Sequence, residues 1–376
     1  MGNQRRKLQT ERRRRQRRRI TVLFGVALLA IAGVFAYFYF TRDEGSAPAG
    51  KSHNAAEFFE GGPRSLVYAN FDAAQDLHVL DLGSKDDSVL VELPENGETF
   101  AAPGSDWVSI VVEGAAAGSG PSLVLFDPTS EEQLDLGTGY DAVWSADGQS
   151  VAWLAPKDPT GCKPTSCPGD KTVMVTDVTS GESTSRSEPG AYNLIGWAGD
   201  YVMVENEVIE NVPVVQTLSP QGEEQDLPIA PREYWGASPD GRYLVRSGET
   251  GASFLEMDGG RISGDGAAIG IPAGTELGEG AWAPDSSQLV AYALNDEGEL
   301  ELVSFSPTSP EPVTIAPGGG ASTGMSLWSP ERDAIVFQRF NEEQGELEAV
   351  YCPLDDPAAC DVLLSWTTGL SLLRIE

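Results

Sequence analysis

The chain has 376 residues, 25 of them basic and 57 acidic, and a formal net charge of −32. Eleven of the basic residues lie within positions 1–42, so the remainder carries 14 basic against 56 acidic residues. That remainder repels nucleic acid and anionic bilayer surfaces, which excludes both as its partners. Cationic partners, polyvalent metal ions or plain solubility in a salty exterior are all compatible with it.

Residues 1–19 hold ten Lys or Arg and one Glu, too much charge for a core, and read as a cytoplasmic topology signal because an apolar run follows at once. That run, 20–40, opens at Ile20, closes at Phe40 and contains no charged residue. At about 1.5 Å per residue its 21 residues span the roughly 30 Å hydrocarbon core of a bilayer. Aromatic residues crowd its far end, as at a membrane interface, and the positive-inside rule places the N-terminus in the cytoplasm. The run exceeds a signal-peptide core, and Arg42, Asp43 and Glu44 intervene before the small-residue site 47–49, so an uncleaved single-pass anchor is expected rather than a cleaved leader. Residues 41–57, rich in Gly, Ser, Ala and Pro, form a flexible stalk.

From 58 to 376 one phrase returns. It reads Trp-Ser-Ala-Asp-Gly at 144–148, Ala-Ser-Pro-Asp-Gly at 237–241, Trp-Ala-Pro-Asp-Ser at 282–286 and Trp-Ser-Pro-Glu-Arg at 328–332, with weaker copies beginning at Phe59, Ala101 and Trp197. Pro presets φ, Asp bonds back to the local backbone and Gly accepts φ > 0, so each copy predicts a strand end, a tight turn and a new strand. Residues 59, 101, 144, 197, 237, 282 and 328 hold the Trp place, giving spacings of 42, 43, 53, 40, 45 and 46. Such a period belongs to four-stranded propeller blades. Within the unit from Trp282, 288–294, 300–305 and 311–315 follow as the second, third and fourth strands. The expected fold is all-β, a seven-bladed β-propeller with six or eight blades as the neighbouring alternatives. Either 370–375 or residues just before Phe59 would complete the first blade.

The composite phrase Trp-Ser-Pro-Asp-Gly before an apolar strand, at this period, resembles the WD40-like (PD40) repeats of TolB-type propellers. It is similar also to the propeller domains of prolyl-oligopeptidase-type enzymes. The resemblance covers 59–376. TolB carries a small α/β domain before its propeller and the peptidases add a hydrolase domain; neither is expected here, so TolB's Pal partner and peptidase activity are not implied.

Four cysteines fall in two close pairs, Cys162 with Cys167 and Cys352 with Cys360. Local pairing as two disulfides is expected, since an exported domain meets an oxidising compartment and no Cys-x-x-Cys or paired His suggests zinc. His78 is the one histidine inside the repeats; alternation sets it opposite Leu77 and Val79, and no Gly-x-Ser-x-Gly elbow accompanies it, so a structural role is expected. No cofactor is expected. Calcium has oxygen ligands on offer at 263–266 and 295–299, but neither stretch matches the twelve-residue Ca²⁺ loop, and a solvated acidic turn is the simpler reading.

In an up-and-down blade the second-to-third-strand loops and the blade-to-blade connections share one face of the disc. The irregular stretches gather there: 155–171, 205–213, 263–280, 295–299, 316–324 and 340–346. Binding concentrates in variable loops on a rigid scaffold, which makes Glu205, Glu207, Asp296, Glu297, Glu342, Glu343 and Glu346 the candidate partner-binding residues. The function expected is docking of an envelope protein outside the cytoplasmic membrane. A carboxylate-dependent glycan-active enzyme and a small-molecule or ion sensor are the alternatives.

Overall fold

Ser238 shows why each repeat reverses where it does. Its backbone N–H donates to Tyr243 O (2.8 Å) and its carbonyl accepts from Gly241 N (2.8 Å). Its hydroxyl donates to Asp240 Oδ1 (2.7 Å) and accepts from Tyr243 N (3.0 Å), while Asp240 Oδ1 also accepts from Arg242 N (3.1 Å). Gly241 closes the turn at φ 69°. Ser145, Asp147 and Gly148 repeat the arrangement, with Gly148 at φ 64°. The Asp back-bond and the left-handed Gly are as the phrase predicts; the hydroxyl that ties the turn to its second strand is a further contribution of Ser.

The computed structural model describes residues 65–375 apart from short connecting stretches, among them 71–75, 93–97, 113–119, 296, 318–325 and 342–343. The basic tail, the 20–40 run, the stalk and Phe59 lie outside the described residues. No helix among the described residues is long and apolar enough to cross a membrane.

Strands come in the expected groups of four. The first three are β1 (Ser65–Asn70), β2 (Asp76–Asp81) and β3 (Asp87–Glu92). Blade 2 is β4 (Glu98–Ala101), β5 (Val108–Val112), β6 (Ser122–Asp127) and β7 (Glu132–Thr138). Blade 3 is β8 (Tyr140–Trp144), β9 (Ser150–Pro156), β10 (Lys171–Asp177) and β11 (Ser183–Ser185). Blade 4 is β12 (Tyr192–Ala198), β13 (Tyr201–Ile209), β14 (Val212–Leu218) and β15 (Glu224–Asp226). Blade 5 is β16 (Tyr234–Ala237), β17 (Tyr243–Gly248), β18 (Gly251–Asp258) and β19 (Arg261–Ala268). Blade 6 is β20 (Gly280–Trp282), β21 (Leu289–Leu294), β22 (Leu300–Ser306) and β23 (Ser309–Pro317). Blade 7 is β24 (Ser326–Trp328), β25 (Ala334–Asn341), β26 (Glu346–Pro353) and β27 (Asp361–Trp366). The last strand, β28 (Leu370–Ile375), pairs antiparallel with β1 and completes blade 1 in the order β28-β1-β2-β3. Ile375 stands opposite Leu66 as Trp144 stands opposite Val151, so the Trp place of the first blade belongs to Ile375 and not to Phe59.

Period-2 alternation turns the two faces of each sheet toward two neighbours. Ile335 and Phe337 pack on Val290 and Tyr292 of blade 6, whereas Ala334 and Val336 pack on Leu66 and Tyr68 of blade 1. Likewise Leu244 joins Met203 and Val215 of blade 4, and Val245 joins Leu289 and Ala291 of blade 6. Each fully buried Leu, Val or Phe contributes about 1.5–3 kcal/mol, and these contributions arise between blades rather than within them. The motif tryptophans add directed links: Trp144 Nε1 donates to Ser109 Oγ (3.2 Å), Trp197 Nε1 to Val143 O (3.0 Å) and Trp328 Nε1 to Ala281 O (3.0 Å), each reaching back one blade.

Candidate binding face and cleft

The two faces of the disc differ. On one lie the Ser-x-Asp-Gly turns, whose polar groups satisfy each other and pack turn against turn; Asp240 N donates to Ser286 Oγ of the next blade (3.0 Å). An open cleft of about 630 Å³ there is walled by these turns, with Arg186 and Asp200 at its side. Burial lowers the Arg186 pKa, against the pull of Asp200, and its Nη1 donates to Pro220 O.

The opposite face carries the longer connections. Between β9 and β10 runs 157–170, closed on itself by the Cys162–Cys167 disulfide, with Lys163 and Ser166 bridged by backbone bonds. The second expected disulfide, Cys352–Cys360, joins the end of β26 to the approach of β27, a third-to-fourth-strand connection on the turn face. The stretch 205–213, read as irregular, is largely strand, since β13 continues through Glu205 and Glu207 to Ile209 and β14 starts at Val212; in 340–346 the strands enter from both ends, β25 running on to Asn341 and β26 starting at Glu346. Their partners β14 and β26 pair with them nearly to the tips, Ile209 with Val212 and Asn341 with Glu346. Cross-strand pairing prolongs these hairpins although their sequence is polar.

Of the proposed carboxylates, Glu205 lies half-buried on β13, Glu297 is exposed in the turn after β21 with its N–H on Asn295 Oδ1 (3.0 Å), and Glu346 begins β26 half-buried. Glu207 belongs to β13, and its side chain lies outside the description, as do Asp296, Glu342 and Glu343. The described members therefore spread over blades 4, 6 and 7.

A cleft of about 400 Å³ opens on this face between blades 3 and 4. Asp170, Pro189, Gly190 and Ala191 form the blade 3 side; Tyr192, Asn206, Gln216, Glu224 and Asp226 belong to blade 4. The Tyr192 hydroxyl donates to Glu224 Oε1 (2.9 Å), and burial with that carboxylate pushes its pKa up to about 12, so it remains a donor at physiological pH. Beneath it Lys171, 8% exposed, donates to Tyr192 O (3.2 Å). Asp141 of β8 accepts from Leu194 N (3.3 Å); burial raises its pKa, opposed by that bond and by Lys171. Among the described residues no group of three or more His, Cys, Asp or Glu is placed to hold a metal ion.

His78 takes the face predicted for it, opposite Leu77 and Val79. It stacks on Tyr68 with ring centroids 5.0 Å apart and sets Nδ1 3.2 Å from both oxygens of Asp87. Its buried Nε2 has no hydrogen-bond partner. Sequence reading had picked out neither Asp87 nor Tyr68, which reach His78 only through strand pairing.

No protein-family model and no curated protein matches the chain. Solved structures do. TolB from Acinetobacter baumannii aligns over 83% of this chain and 67% of its own, at 10% identity and a TM-score of 0.46. An oligogalacturonate lyase from Vibrio parahaemolyticus aligns over 77% and 86%, at 11% identity and 0.53. An acylaminoacyl peptidase from Pyrococcus horikoshii aligns over 80% of this chain at 13% identity and 0.51, and the chain spans half of that enzyme's length. The likeness is one of fold. At these identities the β-propeller is what the comparison shows, and proteins of different activity share it.

Proposed function

We propose that this chain is a single-pass, N-terminus-in membrane protein whose propeller docks a protein partner in the cell envelope, on the face built from the long connections. The observation that carries the proposal is the disulfide-closed connection 157–170 beside an acidic cleft on that face, against compact, self-satisfied turns on the other. Variable loops on a rigid ring are where recognition sits. The two disulfides fit an oxidising compartment outside the cytoplasm. The basic 1–19 segment and the apolar 20–40 run support the anchor and its orientation. An acidic head favours a partner with a basic contact surface, which raises association rates through long-range attraction.

Photo-crosslinking in cells, with the reactive residue at Glu205 or Glu297 and controls at Asp147 and Asp240 on the turn face, tests this. The expected result is one envelope protein captured from the first two positions and absent from the controls. Equal capture from both faces, or none from the first, rejects the docking face.

A further inference from the structure

On the blade 4 face that meets blade 3 the apolar alternation Val202, Val204, Leu218 gives way to Asn206, Gln216 and Asp226. These three form a relay with only one consistent direction. A carboxylate can only accept, so Gln216 presents its amide nitrogen to Asp226 Oδ1 (2.7 Å). Gln216 Oε1 then faces Asn206 and accepts from its Nδ2 (2.9 Å). Asn206 is left presenting its carbonyl oxygen. That residue is 3% exposed, its Oδ1 is screened from bulk water, and the atom has no hydrogen-bond partner. A buried acceptor without a donor is rare in a native fold and calls for an explanation.

Asn206, Gln216 and Asp226 line the cleft between blades 3 and 4 together with Glu224 and Asp170; the donors among these side chains are the amide nitrogens of Asn206 and Gln216, each giving an N–H within the relay, and Tyr192, whose hydrogen is committed to Glu224. Of the two lysines nearby, Lys157 lies 3.9 Å from Asp170 at the exposed rim and offsets that carboxylate, and Lys171 holds Tyr192 O and the charge of Asp141 beneath the floor. Its volume, about 400 Å³, lies within the range of small-ligand sites. Acceptors and net negative charge around an unpaired carbonyl demand a donor-rich cation. We propose that this cleft seats the guanidinium or ammonium group of an Arg or Lys side chain carried by the docking partner, with Asn206 Oδ1 as its innermost acceptor and Glu224 and Asp226 as its counter-charges. Bidentate geometry favours Arg over Lys.

This assignment rests on the docking face proposed above and is tested apart from it, by titrating the full chain in detergent with acetyl-Gly-Arg-Gly-amide, its neutral citrulline counterpart and agmatine, read by calorimetry. The arginine peptide is expected to bind in the millimolar range or tighter, and the citrulline peptide at least tenfold more weakly. Asn206→Ala, with its thermal transition checked, is expected to lose tenfold or more. Asp226→Asn keeps the shape but lets the relay reverse, so that Asn206 presents N–H₂; it too is expected to lose at least tenfold. Equal binding of the two peptides, no binding of either, or parental affinity in both variants overturns the assignment. Agmatine binding more tightly than the peptide would make the ligand a free cation and overturn the polypeptide source. Loss of loop-face crosslinking with peptide binding intact would sink the docking proposal alone.

Discussion

Asp141 holds a backbone φ of 55°, a conformation open to Asp and Asn but costly for most side chains, and sets a half-buried carboxylate between blades 3 and 4. Its raised pKa means the folded state binds its proton more tightly than the unfolded chain does. The stability linked to that protonation is fully present below the unfolded pKa and is lost as pH rises through the folded one. Asp141→Asn keeps the left-handed backbone and an acceptor for Leu194 N, so it is expected to raise the melting temperature relative to the parent at pH 7. The gain should shrink to nothing near pH 3.5, as thermal melts at both pH values would show. Reading acidic residues selected Glu205 and Glu207, and the residue on which the proposed cation seat turns stands between them: side chains alternate, so Asn206 turns to the face opposite Glu205, toward the cleft. Nothing in its neighbourhood forms a motif, because its partners Gln216 and Asp226 arrive through strand pairing from two other strands.

At the scale of the element the repeat phrase was readable almost completely, since a Ser-x-Asp-Gly turn is specified by four consecutive residues. What the phrase alone does not disclose is that the turns also touch. A Cβ on Gly241 would lie 2.7 Å from Ala198 C and Gly199 N of the preceding blade's turn, in addition to the strain of φ +69°. Gly241→Ala is therefore expected to destabilise by about 2–5 kcal/mol. Gly137→Ala, at φ +87° with nothing within 4 Å of its Cβ, should cost only about 1–2 kcal/mol. Denaturant melts of the two variants separate backbone strain from blade-to-blade packing, and equal costs would refute the contact. The hairpin ends were less legible. Polar residues around β13 and β25 read as loop, but an antiparallel ladder requires only backbone partners, and these strands have them to within a few residues of their tips.

Blade count and closure show how far a one-dimensional period reaches. Six spacings of 40 to 53 residues mark out seven units, and the structure has seven four-stranded sheets among its described residues. Closure was open to two solutions from sequence because any apolar run can serve as an inner strand; β28 takes that place by pairing Leu66 with Ile375 and Asn70 with Leu370. Ending the chain at residue 369 leaves blade 1 without its inner strand and exposes Leu66 and Tyr68, which pack against blade 7. A single cooperative melt is expected for the full chain and a broadened transition at lower temperature for the truncated one, measured by circular dichroism.

The same pairing bears on biosynthesis. Leu66 and Ile375 are 309 positions apart, and at a synthesis rate of about 5–20 residues per second the interval between their emergence is on the order of 15–60 s. Throughout it β1 presents an unsatisfied edge, the kind of surface that recruits strands from other chains. The long-range contact that unites the ring is thus also its slowest to form, and the nascent protein is most open to misassembly and to chaperone capture just before its ends meet.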